Sequence, residues 1–190
     1  MLHFCMKKLI EDITKYVPTC EQEQVDRKLF LDIAKTFPNS LTRENPVTHF
    51  TASALLLNKE KTELVSIYHN LYDSWAWMGG HADGDEDLLH VARKEVEEEC
   101  GIKDITLVGR GIFTLECLSV QGHIKKGKYV TTHLHLNVTY VFTTTEKLIR
   151  IKPDENSNIA WFTFDEFLQK STEPHMLPTY NKIINKIKNL

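Results

Sequence analysis

Several features that would place a protein quickly are missing from this sequence. No run of about 18 apolar residues occurs, so the chain carries no candidate membrane-spanning helix. Its four cysteines, Cys5, Cys20, Cys100 and Cys117, stand far apart, without the close pairs of a zinc ribbon or a redox dithiol; they read as reduced thiols inside a cell. Basic charge is not in excess either: 23 Lys and Arg stand against 26 Asp and Glu, a formal net charge of −3. That balance supplies no field to draw the chain onto a nucleic-acid polymer or an anionic membrane. A polyanionic partner is therefore expected to be a small molecule met by a local set of cations or a metal. There is no internal repeat and no low-complexity tract. The opening MLHFCMKKLI places Lys7 and Lys8 behind its first apolar residues, with no small-residue cleavage pattern after them, and a cytoplasmic location is the expectation.

What is present is ordinary in amount and informative in order. At 190 residues, with 42% hydrophobic and 26% charged side chains, the chain suits one globular domain with an appendage. Residues 1–45 read as a helical extension packed on a main domain of residues 46–190. In the extension Leu2, Met6, Leu9, Ile13 and Val17 recur at helical spacing, and so do Val25, Leu29, Ile33 and Phe37. From His49 the period changes to that of strands: HFTASALLLN and TELVSIYHN form a hairpin about Asn58 to Lys61. A helix follows from about Asp87 to Cys100, with Gly101 as its left-handed cap. ITLVGRGIFTLECLSVQGH and YVTTHLHLNVTYVFTT read as strands, the second alternating cleanly. Then come a polar loop through KPDENSN, a short strand centred on Trp161 and Phe162, and a helical turn near Asp165. The closing helix carries Tyr180, Ile183, Ile184 and Ile187 on one side. Strands interspersed with helices predict an α+β fold of layered α/β/α type. The apolar stripes of the terminal helices suit closure of the monomer and a homodimer equally well.

Chemistry concentrates in GGHADGDEDLLHVARKEVEEECGI, residues 79–102. On a helix Glu95 and Glu99 lie one above the other at i, i+4, and Glu98 is beside them at i, i+3. Leu88, Leu89, Ala92, Val96 and Cys100 supply a separate apolar side. Like charges so placed repel by roughly 0.2–0.5 kcal/mol per pair, and a divalent cation reverses that. Mg²⁺ and Mn²⁺ take oxygen ligands, which three carboxylates and a carbonyl from the Gly79–Gly80 turn provide. Residue types alone favour a solvated acidic face over a metal site.

The spacing is more specific. Gly80, five residues, Glu86, seven residues, Lys94-Glu95-Val96, one residue, Glu98-Glu99, one residue, Gly101-Ile102 resembles the Nudix box of pyrophosphohydrolases acting on nucleoside diphosphates linked to another moiety. The resemblance implies a Nudix fold, a mixed sheet between helices, over roughly residues 47–170. It implies Glu95, Glu98 and Glu99 as ligands of Mg²⁺ or Mn²⁺, Glu86 as the leading glutamate, and the backbone oxygen of Gly79 or Gly80 as a further ligand. The implied activity is hydrolysis of a phosphoanhydride bond. Two positions depart from the pattern: Lys94 stands where the family has arginine, which loses a bidentate fork, and Asp83-Gly84 alters the loop.

Glu98 is the first candidate for the general base, and Glu155 in the later polar loop is the second. His123, Lys125, Lys126 and Lys128 lie between two strands as candidate phosphate contacts, against the alternative of a solvated basic loop. Trp77, with Trp75, is a candidate stacking surface for a base or simply packing. His133 and His135 share one strand face; without a third ligand or a cysteine they read as packing or a polar contact, not as a zinc site. Two other functions stay open: a Nudix module that binds nucleotide with little turnover, and a diphosphate isomerase.

Overall fold

Thr48 to Leu57 are buried without interruption, the mark of a strand covered on both faces. The computed structural model describes residues 6–125, 127–150 and 156–190. In chain order it holds α1 (Lys7–Lys15), α2 (Glu21–Thr36), a 3-10 turn (Pro38–Leu41), β1 (Thr48–Asn58), β2 (Glu63–His69), β3 (Ser74–Ala76), β4 (Met78–His81), α3 (Leu88–Cys100), β5 (Thr106–Leu107), β6 (Thr114–Val120), β7 (His123–Lys125), β8 (Lys128–Val130), β9 (His133–Thr144), β10 (Asn156–Thr163), α4 (Phe164–Lys170) and α5 (Leu177–Lys188). Among the described residues an eight-stranded sheet runs β10-β2-β1-β9-β5, with β3 on β2, β4 on β1 and β6 on β9; β7 and β8 form a separate hairpin. A mixed sheet flanked by helices, with an added N-terminal helical segment, is the layered fold that the sequence predicts. No described helix is long and apolar enough to cross a membrane.

The chain divides into two compact units. The first comprises Met1–Ala52, Gly80–Val91 and Gly111–Thr139. In α1 the buried stripe is Met6, Leu9 and Ile13 as expected, but the helix stops at Lys15. Tyr16 takes the next inward position, and Val17 is 76% exposed. The stripe expected in α2 is displaced around the helix. Phe30, Ala34 and Glu23 are buried, while Val25 and Phe37 are exposed. Two contacts turn the helix this way. Phe30 meets Phe50 of β1 edge to face at 5.8 Å. Glu23 accepts from the backbone N–H and hydroxyl of Thr19 at 2.8 and 3.0 Å, tying the segment that enters the helix to its buried side. On the same helix Gln22 donates to the carbonyl of Leu115 at 2.9 Å, and Asp26 accepts from the N–H of Cys117 at 2.9 Å, both in β6.

The second unit comprises Ser53–Gly79, Ala92–Arg110 and Tyr140–Leu190. Here the hairpin register is Leu57 opposite Leu64, as the polar connection predicts. β10 is longer than the short strand expected. It pairs with β2 from Thr163↔Glu63 to Asn156↔His69, because a register shift between Asn156 and Asn158 lets pairing continue into residues that read as loop. Thr163 caps α4 in a capping box with Glu166. Tyr180, Ile183, Ile184 and Ile187 of α5 are buried as predicted, with Tyr180 against Phe167 at 4.7 Å.

Candidate active site

α3 begins where Asp87 accepts from the N–H of His90 at 3.2 Å, a side-chain cap. It ends at Gly101, whose φ of +76° is the left-handed conformation that terminates helices. Its buried side is Leu88, Val91, Ala92, Val96 and Cys100. Val91 takes the inward place expected for Leu89, which is only half-buried. The other side carries the acids, in graded exposure: Glu99 buried, Glu95 half-buried, Glu98 and Glu97 exposed. Glu97 turns away to Lys103 at 2.7 Å.

Within the second unit Glu99 is held at both oxygens. Gly79 donates its N–H to Oε2 at 3.0 Å, and Asn156 donates its side-chain amide to Oε1 at 3.0 Å. Two donors on a buried carboxylate fix its rotamer and hold the glycine turn against the acidic edge of α3. The amide orientation of Asn156 follows from that bond, and it leaves Oδ1 buried without a hydrogen-bond partner. An unpartnered buried oxygen beside the Glu99 carboxylate offers the oxygen donors that suit a hard cation or its water. Among the described residues, however, Glu95, Glu98 and Glu99 are not brought together as a metal-holding group; the group that is brought together is made of histidines.

The departures from the box have defined contacts. Lys94 reaches Glu98 Oε1 at 3.5 Å along one helix turn. Arg93 does not stand in for the missing arginine: it donates to the carbonyl of Ile105 at 3.2 Å and lies 5.1 Å over the ring of Phe142. In the first unit Asp83 adopts a left-handed φ of +46°, which Asp tolerates better than most residues. It takes a two-pronged bond from Arg43 at 2.9 and 2.6 Å. Gly84 donates to Leu41 at 2.9 Å, so the altered loop is tied to the 3-10 turn. Glu86 accepts from the N–H of Lys8 at 3.0 Å. It thereby serves the first turn of α1, where no cap-residue side chain does so.

Of the other sequence candidates, His123 and Lys128 lie on the β7–β8 hairpin of the first unit, where His123 Nδ1 bonds to the carbonyl of Gln121 at 2.9 Å. Lys125 is on that hairpin, paired with Lys128. Trp77 is half-buried in the second unit, edge to face with Tyr180 at 5.3 Å. Glu155 and Lys126 lie outside the described residues. Asn156, which sequence reasoning read only as loop, is the addition that matters to Glu99.

A second cluster also escaped the sequence. His49 of β1, His81 of β4 and His135 of β9 bring one nitrogen each within 4.8 Å of one another, all in the first unit. The rings of His133 and His49 are 4.8 Å apart. Burial first, and then the neighbouring imidazoles, depress the proton affinity of His135 to about 2; burial lowers that of His49 as well. The third ligand that His133 and His135 lacked in sequence comes from strands 50 or more positions upstream, and only the sheet order brings it there.

The NUDIX domain family model matches residues 47–183, most of the chain. The chain belongs to the Nudix family. Solved structures carry the same Nudix fold at low identity. A NUDIX-family hydrolase from Clostridium perfringens is 17% identical, with TM-score 0.53, covering 72% of this chain and 96% of its own. The dihydroneopterin triphosphate pyrophosphohydrolase of E. coli is 14% identical, with TM-score 0.56 and coverages of 72% and 95%. The NUDIX domain of Shewanella oneidensis NrtR, solved with ADP ribose, is 14% identical, with TM-score 0.51 and coverages of 74% and 86%. Among the curated proteins none matches. The Nudix match leaves out α1 and α2, so the helix that Glu86 serves is outside the part of the chain that defines the family.

Proposed function

We propose that the chain hydrolyses a phosphoanhydride bond in a nucleoside diphosphate linked to another moiety, or in a related diphosphate, with Mg²⁺ or Mn²⁺ as cofactor. The observation that carries this reading is the fixed Glu99, held by Gly79 and Asn156 on the same helix edge as Glu95 and Glu98. Glu95, Glu98 and Glu99 would hold the ion, with a backbone oxygen of Gly79 or Gly80 and with Glu86 as a further carboxylate. The bound ion supplies charge neutralisation at the diphosphate oxygens.

The remaining work falls to the chain. Glu98, the exposed member, accepts the proton of the attacking water as general base, while Lys94 one turn away orients it. Glu155 is the alternative base. Glu99 stays fixed, because both its oxygens carry hydrogen bonds. His123, Lys125 and Lys128 would meet phosphate or ribose as point charges, and Trp77 would stack on a base. Two of the fold relatives are described with compounds of this class, a pteridine triphosphate and ADP ribose.

The test is divalent-dependent turnover across ADP-ribose, dinucleoside polyphosphates and nucleoside triphosphates, with products identified by mass and Glu98→Gln run beside the parent. Cleaved products that fall by about 10²–10⁴ in Glu98→Gln support the reading. Equal rates in the two proteins, an isomerised product of unchanged mass, or tight binding without turnover would each overturn it.

A further inference from the structure

The first unit packs four imidazoles together: His49, His81, His133 and His135 have ring centroids 4.8–5.0 Å apart in five of their pairings, with Asp83, itself paired to Arg43, acting on His49 from nearby. Such a cluster of bases needs something to receive its lone pairs. The hydrogen bonds show which lone pairs are free to act. A backbone carbonyl only accepts, so His49 Nδ1, 3.3 Å from the carbonyl of Asn45, is the protonated nitrogen. His49 Nε2 is then a lone pair, and it is buried with no hydrogen-bond partner in a residue 5% exposed. His133 Nδ1 likewise donates to the carbonyl of Thr131 at 2.8 Å, which directs its Nε2 at His135 Nε2, 3.2 Å away. A ring nitrogen donating to a backbone carbonyl while the other faces inward is the arrangement that orients metal-binding histidines.

We propose that His49, His81 and His135 form a binding site for a borderline transition-metal ion of the Zn²⁺ class, with His133 orienting His135. Imidazole nitrogen suits Zn²⁺ and its neighbours in the first row, whereas Mg²⁺ and Ca²⁺ take oxygen. The donors converge within 4.8 Å, and nitrogens on a tetrahedral ion stand about 3.3–3.4 Å apart, a difference that small ring rotations close. Three neighbouring strands contribute one ligand each, since β4 and β9 both flank β1. A three-histidine set leaves a position open for water or a small anion. The site shares no side chain with the acidic edge of α3, so it stands or falls independently of the hydrolase reading.

The test uses the full-length, untagged protein, stripped with a chelator and kept in excess Mg²⁺. Zn²⁺ binding is followed by calorimetry, and Co²⁺ by the visible ligand-field bands of a low-coordinate nitrogen site. One saturable equivalent is expected, weakened at least about tenfold in His81→Gln and in His135→Gln, and unchanged in the exposed control His175→Gln. Long-range ¹H–¹⁵N spectra of the unmodified protein give a readout that no folding defect can mimic: one equivalent of Zn²⁺ should shift the ring nitrogens of His49, His81 and His135. Absence of a saturable equivalent, parent-like affinity in both variants, or shifts confined to other histidines would overturn the proposal.

Discussion

Asn156 and Glu99 stand 57 positions apart in sequence, and a single 3.0 Å amide-to-carboxylate bond joins the start of β10 to the acidic edge of α3. Replacing Asn156 by alanine leaves one oxygen of a buried carboxylate without its donor. The variant should lose about 1–3 kcal/mol of stability, read from urea unfolding. Divalent-dependent turnover should fall with it, since Glu99 then loses the donor that fixes its Oε1. A variant with parent stability would show that the bond is not maintained in solution.

Lys94 separates position from packing. Its pair with Glu98 is solvent-exposed on both sides, at 58% and 37% of the side chains, so Lys94→Ala should change stability by less than about 1 kcal/mol. Turnover is expected to drop about tenfold or more, as when an outer-shell partner is lost from a metal site. Lys94→Arg, which restores a planar fork, should recover most or all of it. Equal loss in both variants would assign Lys94 a role other than orienting Glu98.

Glu173 gives a pH dependence with a definite sign. Burial raises its proton affinity above the ordinary carboxylate value of 4.5, against smaller opposing effects of His175 and Ser74. The folded state therefore binds this proton more tightly than the unfolded chain. The favourable contribution is complete below 4.5 and disappears as pH rises through the raised folded value. At neutral pH the buried charge is a penalty. Glu173→Gln should be more stable than the parent at pH 7, with the difference shrinking toward zero as the pH drops below 4.5. Urea midpoints at four or five pH values would show it; a difference independent of pH would refute it.

The displaced face of α2 predicts opposite outcomes for two apolar residues. Phe30→Ala should cost about 3–5 kcal/mol, because its ring is fully buried against Phe50. Val25→Ser, at a position 63% exposed, should stay within about 0.5 kcal/mol of the parent. Chemical denaturation of both variants distinguishes the observed face from the one that apolar spacing suggests.

What the sequence made legible was local. The hairpin of β1 and β2, α3 with its Gly101 cap, and the α5 stripe of Tyr180, Ile183, Ile184 and Ile187 each follow from periods and turn residues within one segment. The carboxylates of the box were legible for the same reason, being fixed by spacing along a single helix. What it hid was set by distant partners. Phe50 decides which side of α2 faces in, and a thirty-residue window around Phe30 just fails to show that the two rings meet. Asn156 belongs to β10 because β2 offers it a partner in His69. His133 and His135 are related by their strand period, but His49 of β1 and His81 of β4 look unrelated to them until the strand order β4-β1-β9 is known.

The contacts from α2 to β6 have a consequence for solubility. β6 has β9 as its strand partner, and Leu115 and Cys117 direct a carbonyl and an N–H to Gln22 and Asp26 instead of to a further strand. An uncovered row of this kind is a template on which another chain can add a strand. Two side chains of α2, a helix outside the family match, thus occupy backbone groups of β6 that an added strand would use.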